Sequence, residues 1–153
     1  MKNRLGEILG YAMHCLSFVL YPWLISVLDA PDVLTPLRFV GWAILGLGIV
    51  LIVTSIVALR GNQSGELIQR GIYGMVRHPM YVGAMLAFAS WTLMHPHWVT
   101  LLLSLINMTL VYRIILQADQ RNLARFGAEY EQYMADVPRM NVFVGAIRAF
   151  QRR

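Results

Sequence analysis

Long stretches without a charged residue recur along this chain. Four such runs are visible: Ile8 to Leu28, Phe39 to Leu59, Met80 to Met94, and Trp98 to Tyr112, the last continuing helically through Arg113 to Leu116. A helix of about 20 apolar residues crosses roughly 30 Å of hydrocarbon, and the first two runs reach that length. The third is short, so it leans on neighbouring residues or sits partly recessed behind the other helices. Only His95-Pro96-His97 separates the third run from the fourth, which predicts a tight antiparallel hairpin. The pattern predicts an all-α integral membrane protein, one domain over residues 1–153, with transmembrane helices at about 8–28, 39–59, 80–94 and 98–116. After the fourth run the periodicity changes. Within Asp119 to Val137, Leu123, Phe126, Tyr130, Tyr133 or Met134, and Val137 return at intervals of three and four, an amphipathic helix with Gly127 as a point of interruption and Pro138 as its end. The tail, Arg139 to Arg153, sets Val142, Phe143, Val144, Ile147 and Phe150 among basic residues, so the whole segment 119–153 is expected at the membrane interface.

Composition sharpens this picture. With 58% hydrophobic residues, 14% charged residues and a mean hydropathy of +0.55, the chain is more apolar than a soluble domain of its length can hide in one core. Basic residues fall before the first run (Lys2, Arg4), between the second and third (Arg60, Arg70, Arg77) and after the fourth (seven from Arg113 onward), but only Arg38 lies between the first and second. The positive-inside rule then places both termini in the cytoplasm. The net charge of +5 is accounted for by topology and by attraction to anionic headgroups, so no nucleic-acid partner is expected. Read as a cleaved signal, the first run is too long and Leu28-Asp29-Ala30 is a poor cleavage site. The single Cys15 excludes a disulfide framework. His14 lies mid-run and reads as a neutral packing residue. His95 and His97 flank a proline with no acidic partner nearby, so no metal is assigned.

The candidate chemistry lies between the second and third runs. A polar loop, Arg60-Gly61-Asn62-Gln63-Ser64-Gly65, precedes a motif over residues 71–83 that brings Tyr73, Arg77, His78, Pro79 and Tyr81 to the mouth of an apolar span. Proline suits the first turn of a helix, so Arg77 and His78 flank the amino end of the third helix. An arginine fork binds carboxylates and aromatic faces attract cations, which together suit a zwitterionic ligand carrying a sulfonium. Taken singly, these residues also read as a topological arginine, a helix-capping histidine and interfacial aromatics. A second set, Arg113, Gln117 and Gln120, recurs at i, i+4 and i+7 with Thr109 one turn deeper, a polar stripe that would close a site if it faced the motif. The alternative for Arg113 is a snorkelling anchor.

These residues resemble a family. Gly71-Ile72-Tyr73-x-x-Val76-Arg77-His78-Pro79-Met80-Tyr81-x-Gly83, followed after a hairpin by Leu123-x-x-Phe126-Gly127-x-x-Tyr130-x-x-Tyr133-x-x-x-Val137-Pro138, is similar to the isoprenylcysteine carboxyl methyltransferases and their bacterial phospholipid methyltransferase-like relatives. The resemblance covers Gly65 to Pro138, about half the chain. It implies a membrane methyltransferase using S-adenosylmethionine, in a bacterial or archaeal inner membrane, acting on a lipophilic acceptor of carboxylate or thiol type. The alternatives are a phospholipid N-methyltransferase and a non-catalytic four-helix membrane scaffold. It further implies that Tyr73, Arg77, His78, Pro79 and Tyr81 bind the cofactor and that Tyr130 and Tyr133 close the site. Similar enzymes carry an acidic pair before the Leu and Phe-Gly positions, whereas here the tract reads Arg113-Ile114-Ile115-Leu116-Gln117-Ala118-Asp119-Gln120 and keeps only Asp119. Arg113 carries over as the family arginine, Gln117 or Gln120 stands for a glutamate, or Asp119 serves as the acid. An acceptor that needs no strong base fits this departure.

Overall fold

The computed structural model describes residues 2–29, 35–62 and 65–151, and within them every regular element is helical. The chain order is α1 (Lys2–Val27), α2 (Leu37–Arg60), a 3₁₀ turn (Gly71–Gly74), α3 (Pro79–Met94), α4 (Trp98–Phe126), α5 (Ala128–Asp136) and α6 (Val142–Gln151). The first four helices occupy the four apolar runs. By length and composition α2 and α4 can each cross a membrane, and α3 is a shorter apolar helix. The side chain of His14 lies outside the described ones.

Small residues set the distance between α2 and α3. Gly41, Gly48 and Ser55 recur every seventh residue on the buried seam of α2. Opposite them lies Gly83, and a Cβ added there would stand 2.6 Å from the Gly48 carbonyl oxygen and 2.8 Å from Ile52 Cγ1. Only bare backbones approach so closely, the usual way in which helices gain dispersion contacts where lipid offers no hydrophobic drive.

Polar side chains join the other helices. The Tyr21 hydroxyl of α1 donates to Ser104 Oγ of α4 at 2.6 Å, and Ser104 Oγ donates onward to the Phe88 carbonyl of α3 at 2.7 Å. Asn107 Nδ2 of α4 donates to Ser17 Oγ of α1 at 2.8 Å. The Tyr21 ring stacks on Trp91, centroids 5.4 Å apart and planes 12° apart. The short turn before α4 is stabilised locally, with His97 Nδ1 accepting from Val99 N–H and the Thr100 hydroxyl from α4 donating to the His95 carbonyl.

The length of α4 places the site. Its 29 residues extend about 43 Å at 1.5 Å per residue, well beyond a hydrocarbon core. The polar last third therefore projects past the apolar helices on the side where the 3₁₀ turn and the start of α3 lie. Gly127 then breaks the helix with φ +55°, a conformation glycine adopts without the Cβ penalty other residues incur, and α5 folds back.

Candidate functional site

The start of α3 is built as its sequence suggests. Pro79 occupies the first turn, and His78 precedes it with no side-chain cap bond. The imidazole is used elsewhere: His78 Nε2 lies 2.6 Å from Asp119 Oδ1 on α4. A carboxylate only accepts, so the ring proton sits on Nε2. The same oxygen accepts from Arg77 Nη1 at 3.1 Å and from the Tyr130 hydroxyl of α5 at 2.6 Å, while Oδ2 accepts from Arg139 Nε at 2.8 Å. One carboxylate thus gathers donors from the motif loop, α5 and the segment before α6. Asp119, Arg77, His78 and Tyr130 are all buried, and Arg139 forms the half-exposed rim.

The backbone reinforces the cluster. Arg77 Nε donates to the Val137 carbonyl and Arg77 N–H to the Pro138 carbonyl, each at 3.0 Å. The Tyr133 hydroxyl donates to the Tyr73 carbonyl at 2.6 Å. The segment that ends α5 is therefore fastened directly onto the motif.

Burial alone would push the Asp119 carboxyl up. The hydrogen bonds from His78 and Tyr130 and the charges of His78 and Arg77 outweigh it and hold the group well below the usual carboxylate range. Burial pushes the Tyr130 phenol up, as does its hydrogen bond to Asp119, and burial followed by the neighbouring Tyr130 does the same to Tyr133. Both phenols stay protonated donors at neutral pH. A carboxylate held this firmly is a poor proton acceptor and, being ionised, no general acid. It fixes the orientation of four donors. Two guanidinium groups against one carboxylate leave the cluster with surplus positive charge.

Beside the cluster lies a cavity of about 290 Å³ whose wall includes Glu66, Tyr73, Arg77, Arg125, Tyr130 and Tyr133. That volume is near the lower end for a small-molecule site. Four of the residues singled out from sequence, Tyr73, Arg77, Tyr130 and Tyr133, line it. His78 is not among its lining residues, and its ring lies tilted against Tyr81 at 5.8 Å. Tyr81 packs against the core formed around Tyr21, Phe88 and Val111. Pro79 is buried at the start of α3.

The second predicted stripe lies elsewhere. Arg113 and Gln120 are exposed and Gln117 is half-buried, whereas the buried face of α4 runs through Asn107, Val111, Ile115 and Asp119. Asp119 is about 120° around the helix from Arg113 at 100° per residue. The stripe Thr109–Arg113–Gln117–Gln120 therefore points away from the motif. Sequence reading missed Glu66, Arg125 and Arg139. The last had a signal, since it directly follows the Val137-Pro138 pair; Glu66 and Arg125 had none beyond lying near the loop and on the C-terminal turn of α4.

Fold and site together define a small helical membrane protein with a carboxylate-centred polar site just beyond the end of its apolar helices. Residues 36–126, more than half of the chain, match the phospholipid methyltransferase family, and the chain belongs to it. It is 37% identical over 84 residues to a protein-S-isoprenylcysteine O-methyltransferase of Schizosaccharomyces pombe, covering 54% of this chain and 36% of that protein. It is 34% identical over 90 residues to a lamin-B receptor of Drosophila melanogaster, covering 56% of this chain and 12% of that protein. The chain thus spans about a third of one relative and about an eighth of the other. No solved structure matches it.

Proposed function

We propose that this protein transfers a methyl group from S-adenosylmethionine to a lipophilic acceptor, of carboxylate or thiol type, at the cytoplasmic face of a bacterial or archaeal inner membrane. In this reading 1–153 is one domain in which α1 to α4 form four spans, both termini are cytoplasmic, and the amphipathic C-terminal segment lies on that side. The observation that carries it is the cluster of Arg77, His78, Tyr130 and Arg139 on Asp119, beside a cavity walled by both charges and by tyrosines, in a chain of this family.

The donor set fits the cofactor. Arg77 and Arg125 offer guanidinium groups to a carboxylate, Glu66 offers a carboxylate to an amine, and the rings of Tyr73, Tyr130 and Tyr133 suit a cationic sulfur. When bound, S-adenosylmethionine supplies an electrophilic methyl group on that sulfur. The protein's own contribution is placement and exclusion of water. Asp119 holds Arg77 and His78 in one arrangement, Tyr133 pins the 3₁₀ turn, and the reactants are aligned without side-chain reorganisation, which can supply several kcal/mol of a barrier. A carboxylate or thiolate acceptor asks for no base, consistent with an Asp119 that cannot serve as one. Such an acceptor reaches the site sideways between helices. Arg113, exposed about 9 Å along α4 from Asp119, is available to a carboxylate or phosphate that the acceptor carries. Gln117, one turn along from Arg113 on the same stripe, is the remaining member of the acceptor side.

Calorimetry of detergent-purified protein with S-adenosylmethionine tests this directly. Losing a hydrogen bond to a charged group costs about 1.5–3 kcal/mol, so Arg77→Ala should weaken binding roughly tenfold or more, and His78→Ala, which acts through the Asp119 cluster, should weaken it in the same direction. Glu66→Gln, exposed and outside the Asp119 cluster, should weaken binding without lowering thermal stability. Wild-type protein that takes up no cofactor would remove the proposal. Full methylation by Arg113→Ala would remove Arg113 from the acceptor side.

A second reading is favoured by the family match itself: phospholipid N-methylation. Incubation of membranes with radiolabelled cofactor separates the two, because methylated phospholipid and base-labile methyl ester are resolved by extraction and hydrolysis.

A further inference from the structure

The last helix presents two opposed faces. α6 begins after Asn141, whose Oδ1 accepts from Val144 N–H at 3.0 Å. At about 100° per residue, Phe143, Ile147 and Phe150 fall within one narrow stripe, and Gly145 lies on the far side. The stripe stands away from the protein: Phe143 is 84% exposed, Ile147 60% and Phe150 82%. Gly145 is buried against Met75, where an added Cβ would run into the Met75 carbonyl oxygen. Met75 sits between Tyr73 and Arg77, in the loop that shapes the site. The bare side of α6 thus rests on that loop and the bulky side faces outward.

Charge identifies what covers the outward side. From Arg139 to Arg153 the chain has four arginines and no aspartate or glutamate. Arg139 is turned inward to Asp119, while Arg148 is exposed about 100° around the helix from Ile147, off the apolar stripe. A short helix with large apolar residues on one face and only basic charge suits the headgroup boundary of an anionic leaflet, the more so when it is tethered to membrane helices.

We propose that α6 is a lipid-contacting strap: it inserts Phe143, Ile147 and Phe150 into the anionic cytoplasmic leaflet and, through Gly145 on Met75, presses the 71–77 loop into the geometry the site requires. The membrane contact rests on the orientation proposed above, and the coupling on the cofactor reading. Insertion seats the strap, and the seated strap holds the site closed.

The test uses the protein with Cys15→Ser, carrying Phe150→Cys or Arg148→Cys, spin-labelled in nanodiscs of phosphatidylcholine with and without phosphatidylglycerol. The label at 150 should be relaxed mainly by oxygen and the label at 148 mainly by a water-soluble nickel chelate, with the contrast growing as phosphatidylglycerol is added. Equal exposure of both labels to the chelate in both lipids overturns the membrane contact. Dipolar broadening at 150 that scales with copies per disc also overturns it, in favour of a second copy as the occupant. For the coupling, Gly145→Ala should weaken cofactor binding about tenfold while the depth at 150 is retained; unchanged affinity overturns the coupling. The depth readings need no cofactor, so a wild-type protein that binds none defeats the proposed function and leaves the membrane contact to be decided by the spin labels.

Discussion

Asp119 accepts from Arg77, His78 and Tyr130 on one oxygen and from Arg139 on the other, so its removal leaves the buried Arg77 guanidinium without its counter-charge. Breaking a buried pair in this way costs about 3–5 kcal/mol. Asp119→Ala should therefore lower the thermal midpoint in detergent sharply, whereas Tyr130→Phe, which loses one hydrogen bond to a charged group, should cost about 1.5–3 kcal/mol. An Asp119→Ala protein that melts with wild type would show that the cluster holds nothing together. The pH dependence follows from the same contacts. The folded pKa of Asp119 lies below its unfolded value of about 3.9, so its contribution to stability is fully present above that value and is lost as the pH falls through the folded pKa. The thermal midpoint should owe no variation to this group between about pH 5 and 8 and should fall below about pH 4; Asp119→Asn should be less stable at neutrality and should flatten that acid limb. Arg77, His78 and Asp119 were all legible as chemistry-bearing residues. Their mutual pairing was not, because it joins residues about 40 positions apart in sequence.

At the level of the element, the seam between α2 and α3 depends on the absence of side chains. Gly83→Ala would drive a methyl group into the Gly48 carbonyl and Ile52, and overpacking of this kind costs about 1–3 kcal/mol. Gly46, on the same helix as Gly48, has open space where a Cβ would go, so Gly46→Ala should leave the melting temperature unchanged or slightly raised. Equal melting of the two variants would mean that the helices are not held at this distance. The apolar runs predicted the four long helices, and Gly127 and Pro138 predicted where the C-terminal helix breaks and stops. The inward face of α4 was the element-level failure. Thr109–Arg113–Gln117–Gln120 and Asn107–Val111–Ile115–Asp119 have nearly the same helical periodicity, and period alone does not say which stripe meets a neighbour.

For the whole molecule, the long α4 and the folding back of α5 concentrate the motif loop, Asp119, Tyr130 and Arg139 at one end, and the His95–His97 turn lies at the other. If the end that carries the site is cytoplasmic, a membrane-impermeant maleimide applied to intact cells should label Trp98→Cys and spare Arg70→Cys in a Cys15→Ser background, both positions being exposed. The reverse labelling pattern would put the site on the wrong side for a cytosolic methyl donor. The basic loops state this orientation in sequence; the structure adds that every donor of the Asp119 cluster shares that end.

What the sequence by itself determined was the solvent of this protein, the number of its long helices, and a set of residues rich in cation and phenol. Hydrophobic run length and charge placement are local properties, and they respond to a bilayer without reference to distant residues. Tertiary structure alone decided that Asp119 is the hub of the donor cluster, that Arg113 faces outward, and that Glu66, Arg125 and Arg139 lie beside the motif. Those outcomes depend on the rotation of α4 about its axis and on the return of α5 across it, which are set by packing between helices and so leave no mark in any single window of the chain.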